Sequence, residues 1–455
     1  MSKSKKHQRE IPHILTYRAI LFFWLPLAFS WLLMTFEGPW VQGVISRKAD
    51  AELQLAAFGL VMSLSVTIEA PIIMLLATGN ALSRDNQAFK VLWRFMMVLN
   101  ILLTGLALLM AFTPLLDVYL GDILGIPLDI IEATRPGMAI MILWTAFIGY
   151  RRFHQGIMIA RNHTREISYG TMIRIVTSGS VALFLGAFTE TPGAQIGAWS
   201  LICAVAAEVF YIYRASRDDV NDLLEKSPAD GIAPMTYRDI MRFHMPLALT
   251  SVLTLFIRPV LESGLASTPD AKEALAAWPI IFSIFLVMRS GAFAWQEVVI
   301  SLSRNAQKHH KIRQFTRGLA ATLTAFIIIF SFTPLIDFYI GTILGIPEAI
   351  RPAVIIGTQA GILLPLCATI QSYYRALLML ADNTSPVYQA MGLGFAMTVG
   401  VMWLGLQLQF PGVMAASLSL TIGTIAELVY LWRTFIPQQS KLKARWALEA
   451  GSIID

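Results

Sequence analysis

Apolar residues run through this chain in long blocks that show no period-two alternation and are separated by short polar breaks. A helix of about 20 apolar residues crosses the hydrocarbon core of a bilayer. Only helices and closed barrels satisfy the backbone there, and a barrel would write alternation into its strands. The blocks predict spans at 18–46, 52–82, 90–118, 129–160, 166–189 and 193–214, then at 238–267, 272–303, 312–338, 348–380, 386–408 and 412–434. The expectation is an all-α integral membrane protein with 12 transmembrane helices. Residues 1–17 form a basic polar head without a cleavage site after a short apolar core, so the first span is read as uncleaved. Residues 215–237 read as a polar linker, and 435–455 as a basic tail.

The twelve blocks are two sets of six. FTPLLDVYLGDILGIP at 112–127 returns as FTPLIDFYIGTILGIP at 332–347, with 12 of 16 residues identical and a shift of 220. The shift extends outward: Pro26 answers to Pro246, ALSR at 81–84 to SLSR at 301–304, and AEVFYIYR at 207–214 to AELVYLWR at 426–433. Six spans is an even number, so the second set enters the membrane from the same side as the first. The expected architecture is therefore two parallel six-helix repeats, an N-lobe over 18–214 and a C-lobe over 238–434, around a central cavity. In the repeated motif, Pro114 and Pro334 are expected to bend the ends of spans 3 and 9. Gly121, Gly125, Gly341 and Gly345 are expected to allow a tight return.

Composition agrees with the pattern: 56% of residues are hydrophobic, 14% are charged, and the mean hydropathy is +0.62. Charge then orients the spans, because Lys and Arg accumulate on the cytoplasmic side. With both termini cytoplasmic, 25 of the 35 basic residues fall in cytoplasmic segments and span ends, five on the far side and five inside spans. The net charge of +6 is thus explained by topology, without nucleic acid. The expected location is the cell's inner (plasma) membrane.

Chemistry in such a chain belongs to the charges that hydrocarbon makes expensive. The first lobe carries Glu37, Glu69, Arg151, Arg152 and Glu208, and the second Arg258, Glu262, Arg289, Glu297, Arg375 and Glu427. Glu69 shifted by 220 is Arg289, and Glu37 shifted likewise falls one residue before Arg258. Carboxylates in one lobe thus match guanidiniums in the other, which suggests two ion pairs closing a gate across the cavity. Arg258 and Glu262, four apart on one helix, are alternatively a local pair. Arg151 and His154 in YRRFHQG, and Arg375 in SYYRALL, are candidates to hold an anionic solute or are snorkelling cations.

Other chemistries have no footing. Cys203 and Cys367 are isolated, no His, Cys or acidic cluster has metal-ligand spacing, and no GxxxxGK[ST] motif is present. No cofactor is expected, and the chain does not read as an enzyme.

Pro26-Leu27, Pro246-Leu247 and Arg258-Pro259, within two six-helix lobes, resemble the multidrug/oligosaccharide exporter superfamily, to which MATE-like transporters belong. His154, Gly156 and Ile157 resemble the H-x-G-I of its progressive ankylosis branch, and Arg258-Pro259 that branch's R-P. The resemblance implies V-shaped lobes, alternating access and, in that branch, export of anionic metabolites. Glu262 resembles the span-7 acid of drug exporters, but their span-10 acid has no counterpart between Arg351 and Ala381. The expected function is a secondary active exporter of a small organic solute, an organic anion, acting as a monomer in the lipid bilayer. Its coupling ion is a proton or sodium; Glu37 and Glu69 are the candidate proton carriers, and Arg258 and Arg289 the anion holders. The alternatives are a multidrug exporter of organic cations and a lipid-handling or scaffold protein without solute turnover.

Overall fold

The computed structural model describes residues 15–161, 163–228, 234–303, 306–381, 383, 385–440 and 442. The expectations for the basic head and for most of the tail fall outside these residues.

Helices account for almost all of the ordered backbone, and no strand occurs among the described residues. In the first half they are α1 (Tyr17–Ile45), α2 (Ala51–Ile73), α3 (Leu75–Leu82), α4 (Asn86–Phe112), α5 (Leu128–Ile140), α6 (Trp144–Ala160), α7 (Thr164–Phe188) and α8 (Gly193–Ala215). A short α9 (Arg217–Glu225) leads into the second half. There the helices are α10 (Tyr237–Leu255), α11 (Ile257–Ala266), α12 (Ala271–Leu302), α13 (Ala306–Phe332), α14 (Arg351–Ala360), α15 (Leu364–Leu380), α16 (Ser385–Gln407) and α17 (Gly412–Phe435). Among the described residues, ten stretches are long and apolar enough to cross a membrane, and α14 with α15 makes an eleventh, bent by 40°. Its counterpart in the first half, α5 with α6, is joined by a tight turn at Met141–Leu143. The repeat thus shows even in where helices break.

Local chemistry sets many of these ends. Thr16 and Asp85 accept from the amides of Ala19 and Ala88, which caps α1 and α4. Thr236 and Asp239 form a reciprocal capping box on α10. Pro259 cannot donate to Leu255, and the chain breaks there between α10 and α11; the equivalent Pro39 lies inside a continuous α1.

Two readings change here. Spans 3 and 9 end at Phe112 and Phe332, so Pro114 and Pro334 do not bend them but start the turn that follows. The return is made by π-helical turns at Val118–Ile123 and Phe338–Ile343 and by Gly125 and Gly345 in left-handed conformation, φ +73° and +70°. The linker is also not all loop, because α9 buries Leu223 and holds Asp219 2.9 Å from His163. Its charge density hid an amphipathic turn.

The halves interlock. α1 packs along α12 as well as α7, and α10 packs along α2 as well as α16. On the line between them, equivalent residues meet: a Cβ on Gly59 would stand 2.4 Å from Pro279 Cγ, and these positions differ by the repeat shift. Only glycine lets the two backbones approach so closely. Outer faces present Leu102, Val176 and Phe188, as a bilayer requires.

Candidate functional site

The contacts that hold the lobes together at the end carrying the repeated loops are polar. Gln42 donates to Pro279 O at 3.0 Å and accepts from Ser283 Oγ at 2.9 Å. Shifted by 220, the same pair of positions is Glu262 and Ser63, which also stand side by side. The Arg47 guanidinium donates to Leu344 O at 3.0 Å and Ile343 O at 2.6 Å, and Ser46 donates to Leu344 O. Lys272 and Asp129 close the rim at 2.6 Å. At the other end, Trp24 donates to Gly291 O at 2.9 Å, and Thr78 pairs with His244.

The intramembrane charges gather within each lobe rather than between them. In the first lobe, Arg151 reaches Glu208 at 2.5 Å, with Gln155 donating to the same carboxylate at 3.3 Å. Arg174 on α7 reaches Glu37 on α1 at 2.5 and 3.3 Å. Glu69 is buried within electrostatic reach of Arg151, Arg152 and Arg174, with one oxygen lacking a hydrogen-bond partner. In the second lobe, Arg375 pairs with Glu427, and Arg289 lies within reach of both.

The expected gate is therefore corrected: Glu69 does not confront Arg289, and Glu37 does not confront Arg258. The repeat relation carries a position into an equivalent environment on the far side of the axis. Contact follows only for residues on the axis itself, as with Gly59 and Pro279. Arg258 lies over the Phe282 ring at 4.6 Å, a cation–π contact, one turn from Glu262.

The remaining candidates separate. His154 is buried, bonded to Ser216 Oγ at 2.9 Å and stacked on Tyr150, so it packs the end of α6 rather than facing a solute. The neighbouring Gly156 lets α3 approach, since a Cβ there would meet Leu76 O at 2.4 Å. Glu297 is exposed and in no ion pair among the described residues. Arg174 falls among the cytoplasmic cations when charges are counted along the chain, whereas it stands ten residues into α7. The signal for it is position: an arginine within an otherwise apolar span. No group of His, Cys, Asp or Glu suited to a metal occurs among the described residues.

Solved structures share this arrangement of helices. One is the inward-facing form of a multidrug resistance MATE family transporter of the MOP superfamily, at 16% identity and TM-score 0.71, covering 93% of this chain and 98% of that one. The fold is that of the MATE transporters. An outward-facing form matches at 15% identity and TM-score 0.64, over 94% of this chain and 96% of the other. A MOP superfamily transporter from Pyrococcus furiosus, described as having a binding pocket of reversed polarity, matches at 14% and 0.60, over 95% and 99%. No protein-family model matches the sequence, and no curated protein is significantly similar to it. At these identities the likeness to the MATE fold resides in the helices and their order.

Proposed function

We propose that this chain is a secondary active transporter that moves a small organic anion across the plasma membrane by alternating access, with both termini in the cytoplasm. The observation that carries the reading is the polar seam at the loop end, where Gln42, Ser46, Arg47 and Lys272 join the lobes. Seams of hydrogen bonds and exposed ion pairs separate at small cost, and the fold is known in both inward- and outward-facing forms. Closure at the loop end corresponds to the inward-facing state.

The charge sign supports an anion. Six arginines buried or half-buried within the spans, at 151, 152, 174, 258, 289 and 375, face five buried glutamates, at 37, 69, 208, 262 and 427, the exposed Glu297 standing outside this set. Export in the manner of the progressive ankylosis branch fits this excess. Proton coupling would fall to Glu69, the first-lobe carboxylate with an oxygen unpaired.

The test is flux in proteoliposomes under imposed pH or sodium gradients, screened over radiolabelled organic anions and organic cations. Saturable, gradient-driven anion flux is expected. Saturable cation flux instead would replace the substrate class, ohmic conductance would mark a channel, and no flux of either would leave a scaffold.

A further inference from the structure

Five basic residues fall at the loop end, and three of them have carboxylates: Arg135 pairs with Asp117, Lys272 with Asp129 and Arg351 with Glu348. The other two are neighbours, Arg47 and Lys48, and neither is in an ion pair among the described residues. Their hydrogen bonds go to carbonyls instead. Lys48 Nζ donates to Gly186 O at 3.1 Å and Thr189 O at 2.6 Å, which caps the end of α7 and uses two of the three ammonium N–H groups. Arg47 reaches Leu344 O and Ile343 O through its terminal nitrogens. Carbonyls supply dipoles but no counter-charge.

Both cations line one groove of about 460 Å³ between α1, α7 and the second repeated loop. Phe36, Trp40, Leu183 and Ile343 form its walls and are half-exposed on the outer face, and no acidic side chain lines it. Phe36 lies about 14 Å along the helix axis from the end of α1 at Ile45, so the groove runs from hydrocarbon depth up to the two cations. Trp40 and Tyr339, in its wall, are the residue types that settle at headgroup level. The repeat supplies a comparison. Shifted by 220, Arg47 and Lys48 become Ser267 and Thr268, and Leu183 and Gly186 become the bulkier Trp403 and Leu406.

The geometry points to a site for an anionic phospholipid of the bilayer, with its phosphodiester at Lys48 and Arg47 and the upper part of an acyl chain along Phe36, Trp40 and Leu183. Lipid covers this face, and an anionic headgroup is what answers two cations without carboxylates. The site goes beyond the transport reading, because it asks for no solute. Tyr339, Ile343 and Leu344 come from the second lobe and the other walls from the first, so the groove is complete while the loop end is shut. A lipid seated there favours that state.

Full-length protein in nanodiscs of phosphatidylcholine with rising fractions of phosphatidylglycerol is released into detergent, and the retained lipid is identified by native mass spectrometry. Saturable retention of phosphatidylglycerol over phosphatidylcholine is expected. Lys48→Gln keeps N–H donors for the carbonyls and removes the charge, and should weaken retention about fivefold. Leu183→Trp keeps both cations but fills the groove as the second lobe does, and should weaken it at least as much. No preference for phosphatidylglycerol, or parental affinity in either variant, overturns the site. Water-soluble glycerophosphoglycerol at matched concentration should leave the lipid in place; displacement would make this a seat for a free anion and overturn the lipid assignment. Spin labels on the two repeated loops should report more short distances when phosphatidylglycerol is added to the parent but not to Lys48→Gln, and an unchanged parental distribution overturns the bracing of the shut state.

Discussion

The two lobes hold their central ion pair by the same device in opposite registers. Glu208 and Glu427 occupy equivalent places on α8 and α17, and each takes an arginine from the helix beside it. In the first lobe the arginine is at position 151 with glutamine at 155; in the second the glutamine is at 371 and the arginine at 375. The first lobe then adds the Glu37–Arg174 pair, where the second has Ile257 and Gly394. The difference teaches that duplicated bundles exchange buried charge in compensated sets, because a lone buried ion costs several kcal/mol whereas a matched change costs little. The first lobe is electrically closed and filled, whereas the second keeps a surplus cation, Arg289, over the Phe293 ring and leaves open space at Gly394.

The largest effect should come from opening the closed set. Arg174→Ala leaves Glu37 buried at 7% exposure without its cation, and the expected loss is about 3–5 kcal/mol, read as a fall in thermal stability in detergent. Arg289→Gln should by contrast stay within about 1–2 kcal/mol of the parent, because it removes a charge that no carboxylate pairs and that only a cation–π contact with the Phe293 ring at 5.5 Å accompanies. Equal losses in the two variants would show that the second lobe is as closed as the first.

A smaller effect belongs to the seam. Arg47 fastens the second repeated loop through carbonyls of residues 342–344, while its equivalent, Ser267, has no such reach toward the first loop, which instead carries the Asp117–Arg135 pair at 2.6 Å. Arg47→Ala should favour opening at the loop end by about 1–2 kcal/mol, given hydrogen bonds from a charged group that is partly exposed. Spin labels placed on the two loops would report a larger population of long distances. An unchanged distribution would remove Arg47 from the closure.

The elements whose signal is periodic or repeated were legible in the sequence. Hydropathy placed most spans within about two residues, while the third and ninth, Asn86–Phe112 and Ala306–Phe332, lie up to six residues earlier than expected, and identity at 112–127 and 332–347 pointed to the two equivalent lobes. The charges at 69 and 289 were also legible as a reversed pair, but not their partners. A repeat reports equivalent environments, whereas contact depends on distance from the axis, which a shift of 220 does not encode. Arg174 is hard to see because loop cations and span cations merge in a charge count when the boundary is uncertain, and α7 begins only ten residues earlier. Helix α9 is hidden because Asp218, Asp219 and Asp222 mask the apolar positions Val220 and Leu223 that pack it.

The register exchange gives the finest test. Residues four apart on a helix project from one face a single turn apart, so a guanidinium at 371 or at 375 can approach the same Glu427 carboxylate with modest rotamer changes. Arg375→Gln alone strands Glu427 beside Arg289 and should cost about 3–5 kcal/mol, less whatever Arg289 recovers by turning toward it. Adding Gln371→Arg rebuilds in the second lobe the order found in the first, arginine before glutamine, as at Arg151 and Gln155. The double variant should return to within about 1 kcal/mol of the parent, and the coupling between the two sites is read from a double-mutant cycle on thermal stability. If the double variant is no better than Arg375→Gln, the glutamates are not equivalent acceptors and the lobes differ in more than charge register. Recovery would instead show that the scaffold around Glu208 and Glu427 is common to both lobes, and that what separates them is the Glu37–Arg174 pair and the space left in its place.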